Sequence, residues 1–288
     1  MTLKHPFSIR IFLPDGTADG VRVIEKSNWT GVGVIVPKSL LLEAKKRNEF
    51  SRTGVYVLVG QDDESELPTI YVGQGDPVRT RLEQHYVKKD FWSWAIVFVT
   101  RDDSLNKAHI GYIEAALYKV AARLKRCKLD NQNQPNPSPL TEADAADMDS
   151  FLADMFNIFP LIGLRVFEQP KVKQREQVLL ELSAKGVSAK GYESSQGLVV
   201  TAGSTFSTSE TPSIPSYVAK MRQTLKKEQV LVGAGDVLRL TQDYEFSSAS
   251  NAAAAIMGAS ANGLQMWKDE NGKSLKEIQE QSLEMSED

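Results

Sequence analysis

Tyr56, Tyr71, Arg81, His85, Glu114 and Asn131 are residues whose types and order could do chemistry together. Cutting a phosphodiester takes an activated water, positive charge against the phosphoryl oxygens and a stabilised leaving oxygen. A divalent metal held by one carboxylate can neutralise and orient the phosphate, a role open to Glu114. An arginine such as Arg81 can make paired, charge-assisted hydrogen bonds to its oxygens. A tyrosine accepts a proton from water only after shedding its own, against an ordinary pKa of about 10. Neighbouring metal, Arg and His charges would favour that phenolate. Tyr56 and Tyr71 are equal candidates for the base, and the amide of Asn131 could tie strands together or hold phosphate.

These side chains need a frame. Gly54–Gly60 and Thr69–Gly73 read as a β-hairpin whose tip, Asp62-Asp63-Glu64-Ser65-Glu66 and Pro68, is solvated. Asp76-Pro77 opens a helix, with Asp at the cap and Pro at the first helical position. Val78, Leu82 and Tyr86 form its buried stripe, while Arg81 and His85, also four apart, converge on a neighbouring face. Trp94–Thr100 is apolar enough for a strand covered on both faces. A helix over 105–125 buries Ile110, Ile113, Leu117, Val120 and Leu124. Glu114 lies at the edge of that stripe, where a partly buried carboxylate calls for a cation. His109, five residues before it, is off the glutamate's face and reads as structural. Leu129–Pro139 is loop, Thr141-x-x-Asp144 caps a helix to about Met155, and Leu161–Glu168 reads as a closing strand.

Around this core, residues 8–12 and 21–25 flank Pro14-Asp15-Gly16 and read as a second hairpin, followed by a strand at 32–36 and a short helix over 37–46. The expected architecture is α+β. An N-terminal hairpin extension, 1–50, packs on a core at 51–170, which is a small mixed sheet flanked by helices. A linker at 171–190 leads to a second small α+β domain at 191–285. In that domain helices are expected over 216–227 and 250–257, a strand at 237–240, a turn at Asn262-Gly263 and a last helix near Ser274.

With 41% hydrophobic and 25% charged residues, the 288-residue chain has the composition of a globular protein with no apolar run fit to span a membrane. Cys127 is the sole cysteine, which excludes an internal disulfide, and with three histidines it argues against zinc. No secretory leader is read at the N-terminus, so a cytoplasmic location is expected. A net charge of −3 argues against indiscriminate coating of nucleic acid but not against a local basic groove. Lys119, Arg123, Lys125, Arg126 and Lys128 form one acid-free basic run.

The set Gly54-Val55-Tyr56, Tyr71-Val72-Gly73, then Arg81, His85, Glu114 and Asn131 resembles the GIY-YIG nuclease family over residues 54 to about 135, with valine for isoleucine in both motifs. The resemblance implies a small mixed sheet with helices, both tyrosines in the site, and Mg²⁺ or Mn²⁺ on Glu114. It further implies DNA as substrate, cut to leave a 5′-phosphate, in a setting such as DNA repair, restriction or defence. Double-strand cutting with one site per chain would take a homodimer or a second binding event. Farther on, Phe246-Ser247-Ser248-Ala249-Ser250-Asn251, the alanines after it, Asn262-Gly263, Trp267 and Gly272-Lys273-Ser274-Leu275 are similar to an uncharacterised domain often found behind such nucleases. The same phrase resembles the RAMA domain of restriction and modification proteins, which implies reading of modified DNA. Against this stands a plain alternative in which Phe246 and Trp267 fill a core and Ser248 or Ser250 caps a helix. For the whole chain the alternative to an endonuclease is a catalytically inactive DNA-binding or interaction module on the same fold.

Overall fold

In the computed structural model, which describes residues 6–61, 67–168 and 178–284, the chain forms two compact units, 1–168 and 169–288. The fold class is α+β. The acidic hairpin tip at 62–66 and the first part of the expected linker, 171–177, lie outside the described residues.

The first unit is built on one seven-stranded sheet. In chain order its strands are β1 (Ile9–Phe12), β2 (Arg22–Lys26), β3 (Gly31–Pro37), β4 (Gly54–Gln61), β5 (Pro68–Gly75), β6 (Trp92–Thr100) and β7 (Lys128–Leu129). They lie side by side as β1-β2-β3-β6-β4-β5-β7. Every pairing is antiparallel except β5 with β7. The N-terminal segment therefore does more than pack on the core: β3 pairs with β6 from Gly31↔Thr100 to Pro37↔Trp94 and carries the hairpin into the sheet. Its β-branched run, Val32, Val34, Ile35 and Val36, suits a strand buried on both faces. The helix expected over 37–46 shrinks to a 3₁₀ turn, Lys38–Leu40, and a four-residue α1, Leu41–Ala44.

Side-chain alternation divides the core between the two faces. On one face Tyr56, Leu58, Val97 and Val99 pack with Phe50 and with Val78 and Leu82 of α2 (Val78–Lys88). On the other, Val55, Val57, Ile70, Val72, Ile96 and Phe98 lie under α3 (Lys107–Leu124) and α4 (Glu142–Ile158). Asn106 caps α3 through Ala108 N and His109 N, and His109 completes the reciprocal capping box, which gives that histidine its structural role. Thr141 caps α4 as expected.

Three expectations are corrected. Pro77, not Asp76, is the N-cap of α2, and the Asp76 carboxylate instead accepts from Thr53 Oγ1 at 2.7 Å. Lys128–Leu129, read as the edge of a loop, pair with Thr69–Ile70. Leu161–Glu168 is no strand: Pro160 and the left-handed Gly163 turn the chain through two 3₁₀ segments, Phe159–Ile162 and Arg165–Phe167. That path still buries Phe159, Val166 and Phe167 in the core under α4.

The second unit has a four-stranded sheet, β14-β10-β9-β8, and a three-stranded one, β11-β13-β12. The strands are β8 (Leu180–Ala184), β9 (Val187–Ser194), β10 (Gly197–Val200), β11 (Thr205–Ser207), β12 (Leu231–Ala234), β13 (Val237–Leu240) and β14 (Tyr244–Phe246). The helices are α5 (Ser216–Lys227), α6 (Ala249–Met257), α7 (Gly263–Met266) and α8 (Leu275–Glu284). The linker expected over 171–190 is thus too long, because β8 and the start of β9 already belong to the folded unit. Ala252 to Ala255 are all buried; such small side chains let α6 sit close to its neighbours. Among the described residues, no helix is long and apolar enough to cross a membrane.

Candidate functional site

The six sequence-predicted residues come from four elements and the loop after β7, and they gather at one edge of the first sheet. Tyr56 on β4 lies opposite Gly73 on β5 in the ladder. A side-chain carbon at Gly73 would sit 2.5 Å from the Tyr56 hydroxyl and 2.8 Å from the Tyr71 ring, so only glycine leaves room for the two phenols. The rings stack with centroids 6.4 Å apart. Gly54 is likewise closed to a side chain by the Phe98 carbonyl. Gly73 is therefore a steric requirement of the paired phenols, and Gly54 one of the close pairing of β4 with β6.

His85 projects from α2 between the phenols. Its Nε2 is 2.9 Å from the Tyr56 hydroxyl and its ring centroid 4.7 Å from that of Tyr71. Burial, followed by the charges of Lys89 and Arg81, pulls the His85 pKa down to about 4, so the ring is neutral near pH 7. Burial, reinforced by Tyr71, pushes the Tyr56 hydroxyl well above the ordinary phenol value, and the charge of Arg81 opposes that only in part. This corrects the expectation of a charged histidine favouring a phenolate. The consistent arrangement has Tyr56 keeping its proton and donating to His85 Nε2. Tyr71 is only partly buried, and the Lys89 ammonium lies 4.3 Å above its ring while paired with Asp130.

Glu114 approaches from α3 on the far side of β5. Its Oε2 accepts from Gln74 Nε2 at 2.8 Å. Burial raises its pKa, while Gln74 and the Arg81 charge pull the other way. Its charge is also felt at Tyr56. Arg81 is exposed, with one guanidinium nitrogen on Gln84 Oε1 at 2.8 Å. Asn131 clamps the backbone of Val72 in both directions, accepting from its N–H at 3.0 Å and donating to its carbonyl at 2.8 Å. Its amide is consumed in fixing β5 beside the following loop, the strand-tying role of the two foreseen. Gln74 and Lys89 were not foreseen; the residue after Tyr71-Val72-Gly73 was the available signal for Gln74.

Among the described residues no group of three or more His, Cys, Asp or Glu stands ready for a metal. A single half-buried carboxylate with one oxygen engaged by Gln74 and the other unengaged nevertheless fits Mg²⁺ or Mn²⁺, since Mg²⁺ keeps several waters and binds through one or two carboxylates plus substrate phosphate.

In the second unit the rings of Phe246 and Trp267 are fully buried. Trp267 Nε1 donates to Ala249 O at 3.1 Å, and Ser248 caps α6 through Asn251 N. Ser250 accepts from Gly263 N at 3.1 Å, where a side chain on Gly263 would collide with the Ala249 backbone. The motif residues therefore build the core and its turns.

A family model described as "Domain of unknown function (DUF4357)" matches residues 180–279, from the start of β8 into α8. No curated protein and no solved structure matches the chain.

Proposed function

We propose that the first unit is a divalent-metal-dependent endonuclease of the GIY-YIG type that hydrolyses DNA phosphodiester bonds, and that the second unit serves to target it. One combination carries this reading: two stacked phenols from β4 and β5 pack beside His85 of α2, and the charges of Arg81 on α2 and of the half-buried Glu114 on α3 both act on Tyr56. The motif glycine Gly73 leaves the room the two phenols need.

Glu114 would hold the ion through the oxygen that Gln74 leaves unengaged, and the ion would supply charge neutralisation and orientation of the phosphate. Arg81 donates its remaining guanidinium hydrogens to the phosphoryl oxygens. Tyr71, the partly exposed phenol, is the one a water can reach; having given its own proton to solvent, it takes the water's proton while the water oxygen attacks phosphorus and the bond to the 3′ oxygen breaks, the leaving oxygen taking a proton from solvent. Tyr56, buried and bonded to His85, holds that imidazole against Tyr71. Gln74 aims the carboxylate, and Asn131 keeps β5 in register.

The test is incubation of the purified protein with plain, methylated and branched DNA, with Mg²⁺ and with EDTA. Cleavage that needs the metal and is lost in Glu114→Gln and Arg81→Ala, with folding retained, supports the reading. Unchanged cleavage by Glu114→Gln overturns the metal assignment. Binding without cleavage by the wild type leaves the inactive-module alternative.

A further inference from the structure

Away from the phenols, on the sheet face that carries α2, lies a groove of about 540 Å³. Lys46, Arg47, Arg52 and Arg101 line it, against the carboxylates of Glu25 and Glu49. Counting Asp103, which pairs with Arg52, the four cations still exceed the three acids around them, in a chain whose net charge is −3. The cations come from separate stretches of sequence brought together by folding, unlike the solvated face of one helix. At Glu25 and Arg101 the groove runs into a second one of about 480 Å³, which adds Arg10 and Lys26.

The guanidiniums are braced rather than quenched. Arg52 gives Nε to Asp103 at 3.1 Å and Nη1 to Thr100 O at 2.6 Å. Arg47 gives Nη2 to Glu49 at 2.8 Å, and Arg101 gives Nη2 to Trp29 O at 3.0 Å, with Glu25 no nearer than 3.8 Å. A guanidinium has five N–H donors in a fixed fork, so each keeps hydrogens to offer. The groove is also tied to the candidate active site: Arg52 O accepts from Val78 N, the first residue of the helix that carries Arg81.

We propose that this groove is a second nucleic-acid contact, in which Lys46, Arg47, Arg52 and Arg101 hold backbone phosphates of the strand flanking the bond to be cut. The choice of ligand rests on the nuclease reading. Length and continuity favour a polyphosphate strand over a small anion, and phosphate contacts of this kind position a substrate without reading its sequence. The contact gives the N-terminal strands a purpose that the catalytic edge alone does not.

The experiment compares wild type with Lys46→Gln and with Lys46→Gln/Arg101→Gln. Binding of a fluorescent duplex of about 20 base pairs is followed by anisotropy in EDTA over a salt series. The double variant should bind about tenfold more weakly, and its log Kd against log salt slope should fall by roughly two, since each lost phosphate contact removes about 0.9. The single variant should lose about half of that slope change, and it keeps the test alive if circular dichroism shows the double variant misfolded. Equal affinity and slope in wild type and a folded variant overturn the proposal, as does equal competition by polyglutamate, which would point to an acidic protein partner. Cleavage with Mg²⁺ is scored in parallel. A wild type that cuts nothing while the variant loses duplex binding sinks the nuclease reading and leaves the groove standing; the converse pattern sinks the groove alone.

Discussion

The Tyr56 hydroxyl and His85 Nε2 lie 2.9 Å apart inside the protein, both side chains shut away from solvent. Truncating Tyr56 to Phe would leave the His85 nitrogen buried without a partner, which costs about 1–3 kcal/mol. Chemical denaturation should therefore show Tyr56→Phe destabilised by that amount. Metal-dependent cleavage should fall as well, because His85, which packs against Tyr71, loses its anchor. A variant as stable as wild type would mean that the pair contributes nothing to the fold.

His85 also fixes a pH dependence. Its folded pKa of about 4 lies below the unfolded reference of 6.5. Between these values the unfolded chain binds the proton and the folded one does not, so stability rises with pH through that window. The contribution is complete above about pH 6.5 and is lost as pH falls toward 4, and it should amount to roughly 2–3 kcal/mol. Urea midpoints at pH 7 and pH 4.5 measure it. His85→Gln should show a shallower decline than wild type, and an identical decline would remove His85 as the cause.

Glu114 has the opposite sign. Burial raises its pKa, so in metal-free protein its charge works against the fold. Glu114→Gln keeps the shape and the contact with Gln74 while removing the desolvated charge. In EDTA the variant should melt at or above the wild-type temperature. Added Mg²⁺ should raise the wild-type Tm, since a ligand that binds only the folded state stabilises it, and should leave the variant unmoved. An equal rise in both proteins would place the ion elsewhere.

How much of this was legible beforehand follows the range of the forces involved. Strands β4 to β6 and α3 were readable, because periodicity and motif spacing are local signals. The state of His85 was not, because burial by residues distant in sequence, and not residue type, decides whether a histidine is charged. The strand expected at 161–168 failed because its β-branched composition was overridden by Pro160 and the left-handed Gly163. The boundary at 180 was missed because an edge strand of alternating residues, Leu180–Ala184, follows a polar run without a turn signal. Nothing in the chain order announced that β3 would pair with β6.

Gly73 gives the sharpest steric test. A β-carbon there meets Tyr56 Oη and Cζ at 2.5 Å, and the ladder leaves neither strand free to retreat. Gly73→Ala should cost about 1–3 kcal/mol, the range for overpacking a filled core. It should reduce cleavage by more than that loss of stability explains, because the phenols must separate. Normal activity in a folded Gly73→Ala variant would show that their spacing is irrelevant to the chemistry.

The second unit carries its own buried charge. Arg222 on α5 has no solvent exposure; its Nε donates to Glu210 at 2.9 Å, its Nη2 to Ser207 O at 2.7 Å and its Nη1 to Ala255 O. One guanidinium thus joins α5 to the chain after β11 and to the end of α6. Removing it leaves two carbonyls without their donor and takes from Glu210 one of its two cations, Lys226 remaining at 3.7 Å; each buried acceptor left unpaired costs about 1–3 kcal/mol. Arg222→Ala in the full chain should therefore unfold residues 178–284 at lower denaturant, followed by Trp267 fluorescence, while metal-dependent cleavage at the first unit persists on short DNA. Arg222→Met, which keeps the volume but not the donors, should recover only part of the loss. Full recovery by methionine would show that packing, and not the hydrogen bonds, holds these segments together.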